Sequence, residues 1–259
     1  MSRFSPGLSG ARAVAAKHLR VFLRTPMEVT LTLFAPILWL VLFGLALDSV
    51  LGASLPGVEQ AYLSFLAPGL VALTALTAAL FAGATFYLEV DRGQARQYLA
   101  APMARIEYYL GLASSATVKT IVQSALLLAL AVPLGMSTTV VGALAGLAVV
   151  GLFALGAFGF SAWLATLSPS FEAYHGLLIV LNLPLLFLSD ALYPLQGVPE
   201  WLATVAVANP LTHLVEVLRW LVTGQASPLG LTVNGIALAA FVAVGAGLGA
   251  RAVTGLTEG

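Results

Sequence analysis

Six long apolar stretches, separated by polar connectors, run along this chain of 259 residues. A bilayer core about 30 Å thick is crossed by about 20 apolar helical residues. The stretches therefore predict spans near Val29–Leu47, Tyr62–Leu88, Tyr108–Pro133, Val140–Leu167, Tyr174–Ser189 and Leu229–Ala250. The expected class is an all-α integral membrane protein, with residues 1–259 forming a single transmembrane domain of six helices. Ahead of the first span the pattern changes. At about 100° per residue Arg12, Lys17, Arg20 and Arg24 share one arc, and Leu8, Ala15, Leu19 and Phe22 share the opposite one. Residues 1–28 are thus expected to hold an amphipathic helix lying on the membrane surface.

Two further segments break the apolar pattern. Residues 89–107 contain Glu89-Val90-Asp91-Arg92-Gly93-Gln94-Ala95-Arg96-Gln97-Tyr98, with Pro102 beyond. Mixed charges, a glycine and a proline at this spacing predict a short surface helix started by acids and stopped near Pro102, facing another protein or serving as a solvated connector. Residues 193–222 stay largely apolar but are broken by Pro194, Gly197, Pro199 and Pro210. Such a segment can neither span cleanly nor dissolve, and it predicts two short interfacial or re-entrant helices between the fifth and sixth spans. Asn209 suits the cap of the second and Pro210 its first position. Leu211, Leu214, Val215 and Leu218 then line one face, with Trp201 and Trp220 as anchors at the membrane boundary.

Charge adds topology. Arg3, Arg12, Lys17, Arg20 and Arg24 precede the first span, Arg92, Arg96 and Arg105 sit between the second and third, and Arg251 follows the sixth, so with six spans these nine share one side. By the positive-inside rule both termini are cytoplasmic. The segment before Val29 reads as a first anchor rather than a cleavable signal peptide, because the apolar run is too long and lacks a small-residue cleavage site. Overall, 60% of residues are apolar and 8% charged, far from the quarter expected of a soluble domain. The zero formal charge argues against a nucleic-acid partner, and the absence of cysteine excludes disulfides and thiolate chemistry.

Catalytic chemistry finds little purchase. The two lysines, Lys17 and Lys119, lack the glycine context of a nucleotide-binding loop, so the chain is not expected to hydrolyse ATP itself. His18, His175 and His213 lie far apart, no His-Glu-x-x-His helix occurs, and no serine elbow appears, so no catalytic, cofactor or metal residues are assigned. Lys119 is the ionisable residue well inside an apolar span. Ser115, Thr120, Gln123 and Ser124 gather polar atoms near it, which fits either a hydrated path lined by Lys119 and Gln123, or a lysine that snorkels or pairs with a carboxylate such as Glu172. Gly142, Gly146, Gly245 and Gly249 repeat at four-residue spacing and predict close helix packing.

Together these features resemble the membrane subunits of type-2 ATP-binding-cassette exporters. The resemblance covers almost the whole chain and rests on Leu66-Ala67-Pro68-Gly69-Leu70, on Glu89 with Gly93 and Pro102, on Leu188-Ser189-Asp190-Ala191-Leu192-Tyr193-Pro194-Leu195 before Val198-Pro199-Glu200-Trp201-Leu202, and on Asn209-Pro210-Leu211-Thr212 with Glu216 and Arg219. It implies an interface helix at Leu8–Arg24 and a coupling helix at Glu89–Ala101, with Arg12, Arg20, Arg24, Glu89, Arg92, Gly93, Arg96 and Pro102 at the contact with an ATPase. It further implies a separate nucleotide-binding subunit that holds ATP and Mg, a second permease copy in a homodimer, and a bacterial or archaeal plasma (inner) membrane. Tyr193, Pro194, Trp201, Asn209 and Pro210 would belong to an extracellular gate. The chain is similar both to permeases of anthracycline and multidrug exporters and to those exporting nodulation lipooligosaccharides or other glycolipids. An amphiphilic cargo follows in either case. An ion-gradient carrier and a non-transporting structural subunit remain as alternatives, although Glu28, Asp48, Glu89, Glu172 and Asp190 lie at span ends rather than forming a buried relay.

Overall fold

Proline and glycine set most of the boundaries in the computed structural model, which describes residues 9–51, 62–100, 103–196 and 198–255. Every regular element among them is helical: α1 Ser9–Arg24, α2 Pro26–Leu51, α3 Tyr62–Asp91, α4 Gln94–Ala100, α5 Arg105–Ala131, α6 Val140–Leu167, α7 Phe171–Phe187, α8 Glu200–Val207, α9 Pro210–Thr223 and α10 Leu231–Thr254. Pro26 opens α2, since it cannot continue α1, and the axis turns by 75° between Ser9–Arg24 and Val29–Leu42. Thr139 caps α6 by accepting from the Gly142 amide at 3.0 Å, and Ser170 caps α7 by accepting from Ala173 at 3.1 Å.

Four helices, α3, α5, α6 and α10, are each long and apolar enough to cross a membrane, and six spans are reached when the bent pairs α1/α2 and α8/α9 each count as one. The second pair bends by 83°. The predicted α6 boundaries coincide with those observed. The fifth predicted span, Tyr174–Ser189, is observed as α7, which starts three residues earlier and ends two earlier; its 17 residues, about 25 Å of helix, stand at the short end of what crosses a bilayer core.

α3 is the central element, packed against α2, α5, α6, α7 and α9. Its stretch Tyr62–Ala72 is buried on all sides, as expected of a helix that is apolar all round. Glycines bring neighbouring backbones close. A Cβ on Gly245 would collide with the Gly156 carbonyl, and one on Gly249 would lie 2.7 Å from the Gly159 Cα, so α10 seats directly on α6. Gly142 and Gly146 play the same part against α9: a Cβ on Gly142 would strike the Leu221 carbonyl, and one on Gly146 would lie 3.1 Å from Val222. The glycine spacing therefore serves helix contact.

The predicted surface helix is displaced. Glu89 and Asp91 end α3 instead of starting the next helix, because Gly93, at φ 71°, stops α3 with its amide bonded to the Val90 carbonyl at 3.0 Å. The helix after it, α4, has 7 residues. The last residues of the expected 89–107 connector, from Arg105 on, belong to α5. Pro102, Ala101 and Gly197 lie outside the described residues.

Candidate functional site

The end of the bundle that carries Arg12, Arg20, Arg92, Arg96 and Arg105 is organised around one buried carboxylate. Glu89 stands in the last turn of α3, where the helix dipole disfavours a negative charge, so it needs cationic or donor partners. Lys17 Nζ of α1 donates to its Oε1 at 2.8 Å, and the Tyr108 hydroxyl of α5 donates to its Oε2 at 2.8 Å. His18 Nε2 lies 3.3 Å from Oε1. Tyr98 of α4 closes the cluster: it accepts a bond from Lys17, its ring lies 4.9 Å below the ammonium, and it stacks on Tyr108 at 5.6 Å between centroids. Burial alone would lower the Lys17 pKa, but the bonds to Glu89 and Tyr98 outweigh it and hold the ammonium above the ordinary lysine value. One carboxylate thus ties α1, α3, α4 and α5 together.

The way α1 lies follows from this clasp. Gly10 sits against Glu107, Ala11 and Val14 against Gly111, and Phe22 against Lys119, so α1 and α5 run side by side in the same direction for about three turns. The buried stripe of α1 is Ala11, Val14, His18 and Phe22. Compared with the expected wheel it is rotated, because Lys17 turns inward to Glu89 instead of joining the outward arginines. Arg12, Arg20, Arg24, Arg92 and Arg96 are all exposed. A Cβ on Gly93 would meet nothing within 4 Å, so the glycine there answers the left-handed backbone and not a close neighbour.

Between the two ends, α5 carries a polar arc. Thr117 Oγ1, Thr120 Oγ1, Gln123 Oε1 and Ser124 Oγ are buried and have no hydrogen-bond partner. Lys119 marks one edge of the arc, with its ammonium 5.2 Å from the Phe22 ring centroid. Unpaired polar atoms inside a bundle cost about 1–3 kcal/mol each, so a row of them calls for water or a passing polar group.

At the opposite end α9 is buried from Leu211 to Arg219, charged residues included. The expectation of a single apolar face is too narrow here, because tertiary partners take up the polar side chains. Arg219 Nη1 donates to Asp190 Oδ2 at 2.6 Å, Nη2 to the Asp190 carbonyl, and Nε to the Phe65 carbonyl at 3.2 Å, with the guanidinium 3.7 Å over the Phe65 ring. Glu216 Oε2 accepts from Ser227 Oγ at 2.6 Å, Leu229 N at 3.1 Å and Asn234 Nδ2 at 2.7 Å. His213 bridges Asn234 Oδ1 at 2.6 Å and the Val207 carbonyl at 2.9 Å. Asn209 caps α9 through the Leu211 amide at 2.9 Å and donates to the Leu185 and Leu188 carbonyls at 2.7 and 2.8 Å, fastening α9 to the end of α7. Pro210 occupies the first helical position. The half-buried Tyr193 donates its hydroxyl to the Phe187 carbonyl, Pro194 lies beside it, and Trp201 projects exposed from α8.

Lys17, His18, Tyr98 and Tyr108 were not among the coupling residues expected from sequence, and the signal for them was faint: a carboxylate closing an apolar span must find a donor, and Lys17-His18 sets two nitrogen-bearing side chains next to each other ahead of the first span. Among the described residues no three His, Asp or Glu side chains converge as metal ligands.

The family model described as ABC-2 type transporter matches residues 10–223. The chain is 32% identical over 211 residues to the ycf38 transport permease of Cyanophora paradoxa, covering 80% of this chain and 72% of that protein. It is 29% identical over 198 residues to nodulation protein J of Rhizobium meliloti (strain 1021), covering 75% and 72%. Over 236 residues it is 23% identical to the daunorubicin resistance ABC transporter permease protein DrrB1 of Streptomyces coeruleorubidus, covering 86% and 81%.

Proposed function

The chain belongs to the ABC-2 type transporter family, and from that premise we propose that it is the membrane subunit of an ATP-driven exporter. Permeases of this family pair with ATP-binding subunits. In the assembly proposed here, two copies of the chain enclose the path, and two separate ATPase subunits bind ATP with Mg and dock on the basic end. That end is cytoplasmic, and the membrane is a bacterial or archaeal plasma membrane.

The Glu89 clasp is the observation that carries this reading. It fastens α1 and α4 to the ends of α3 and α5, while Arg12, Arg20, Arg24, Arg92 and Arg96 point outward. A push by the ATPase on α1 or α4 is delivered to two membrane helices at once. Closure of the ATPase pair on ATP then biases the permease between inward and outward forms through its different affinity for the two. The partnerless polar atoms of α5, from Thr117 to Ser124 with Lys119 at their edge, support a path there for polar parts of the cargo. Tyr193, Pro194, Trp201, Asn209 and Pro210 border the far opening. An amphiphile, whether lipid-like, glycolipid or drug, suits a largely apolar bundle that carries this polar arc, and the daunorubicin resistance relative supports the drug-like option.

The test is charge reversal on the outward face. Arg92→Glu with Arg96→Glu should lose the ATPase subunit on purification while insertion and thermal stability stay unchanged, because both side chains are exposed. Retention of a stoichiometric ATPase by the double variant would refute the assignment of this face.

A further inference from the structure

A cavity of about 490 Å³ opens at the basic end of the bundle, where the last turns of α3, α6 and α10 meet. That volume lies within the range of sites that hold small organic ligands. It stands on the side of α3 away from the clasp: Tyr87 and Asp91 line it, and at about 100° per residue both lie roughly 160° around the helix from Glu89. Its described lining holds no residue of the α5 arc.

Two charges of opposite sign stand in this lining. Asp91 closes α3 and Arg251 lies in the last turn of α10; both are exposed, and neither forms an ion pair among the described residues. On α6, Thr166 and Ser168 donate their hydroxyls to the Trp163 and Leu164 carbonyls at 2.7 and 2.9 Å, so to a guest they offer lone pairs only. Three helices run into the cavity with their C-termini, each the equivalent of about half a negative charge. Against these ends and Asp91 stands one guanidinium. The fitting guest therefore brings a cation that donates hydrogen bonds, together with a single anion for Arg251. An anion alone meets repulsion, and a cation alone leaves Arg251 unanswered.

We propose that the cavity holds the head group of a zwitterionic phospholipid with a primary ammonium, as in phosphatidylethanolamine, drawn from the leaflet on the basic side. The phosphate meets Arg251. The ammonium donates to Asp91 and to the Thr166 and Ser168 hydroxyls, beside the rings of Tyr87 and Trp163. A lipid is the source because α10 is the least buried of the four full-length spans, which puts the cavity against hydrocarbon, and because the half-buried Tyr87 and Trp163 suit the depth at which such rings gather. This lipid is a resident of the bundle's rim and not a cargo: it ties the ends of α3, α6 and α10 together. The inference needs only that the chain sits in a bilayer, so its failure leaves the exporter reading standing.

The full chain, with any subunits that co-purify, is stripped of lipid in dodecyl maltoside and titrated with phosphatidylethanolamine or phosphatidylglycerol of the same acyl chains, and bound lipid is counted by native mass spectrometry. The wild type should take one phosphatidylethanolamine per chain, about tenfold more tightly than phosphatidylglycerol. Asp91→Asn should weaken phosphatidylethanolamine about tenfold, the worth of one charge-assisted hydrogen bond. Asp91→Lys should invert the order of the two lipids, because the mouth then holds two cations, and Arg251→Met should weaken both. Both side chains are exposed, so the melting temperature without lipid should stay unchanged in each variant. Equal affinity of the wild type for the two lipids, an unchanged order in Asp91→Lys, or binding of tail-free O-phosphoethanolamine as tight as that of the lipid would each overturn the inference.

Discussion

Glu89→Gln is the sharpest perturbation of the clasp, because it keeps the shape of the side chain and removes only its charge. The amide oxygen can still accept from Tyr108, so the loss falls on the Lys17 ion pair. Removing one partner of a fully buried pair costs about 3–5 kcal/mol, and an exposed pair is worth about 0–1 kcal/mol. Here Glu89 is 5% exposed and Lys17 42%, so the pair lies between these limits, at about 2 kcal/mol. That corresponds to about a thirtyfold rise in the population with α1 undocked. The chain has no cysteine, so Val14→Cys, at a position 3% exposed on the docked face of α1, supplies a single thiol whose maleimide labelling rate follows that opening. Glu89→Gln should raise the rate about thirtyfold, and adding Lys17→Met should raise it little further, since the two residues act as one unit. A thiol at Ala206, fully buried in α8, should label at its original rate. A change below threefold at position 14, or an equal acceleration at position 206, would refute the clasp.

Three more outcomes concern stability, each read as thermal unfolding in detergent. Gly245→Ala should cost about 1–3 kcal/mol, because its Cβ would strike the Gly156 backbone, whereas Gly247→Ala, with nothing within 4 Å, should be neutral or gain up to about 1 kcal/mol. Asn209→Ala loses a helix cap and two bonds to the end of α7, and should cost about 2–3 kcal/mol; Asn209→Asp keeps the cap but sets a carboxylate oxygen against the two carbonyls that the amide nitrogen served, and should be no more stable than Asn209→Ala. Arg219→Leu leaves Asp190 buried without its cation and should cost about 3–5 kcal/mol, while the double change Asp190→Leu with Arg219→Leu should cost less than the single one.

Where local chemistry decides, the chain was readable. Asn209-Pro210 starts α9 as a cap and a proline should, and Thr139 opens α6 at the expected residue. The four spaced glycines serve helix contact, because close approach is the use that glycine has in an apolar bundle. What escaped depends on partners remote in sequence. Glu89 and Lys17 are 72 residues apart, and Asp190 and Arg219 are 29. Helical periodicity reports that Lys17 shares an arc with the arginines of α1, not that a carboxylate on α3 will turn it inward. In α9, His213, Glu216 and Arg219 look like a solvated face until Asn234, Ser227 and Asp190 are found opposite them. The end of α7 at Phe187, two residues before the predicted Ser189, has no clear mark in hydropathy, which runs unbroken through Leu188.

Purification of the tagged chain from its native membrane in mild detergent, with mass spectrometry of what accompanies it and an ATP hydrolysis assay on the eluate, bears most directly on the exporter assignment. The expected result is a stoichiometric nucleotide-binding subunit with vanadate-sensitive ATPase activity. A chain that purifies alone and without such activity would contradict it.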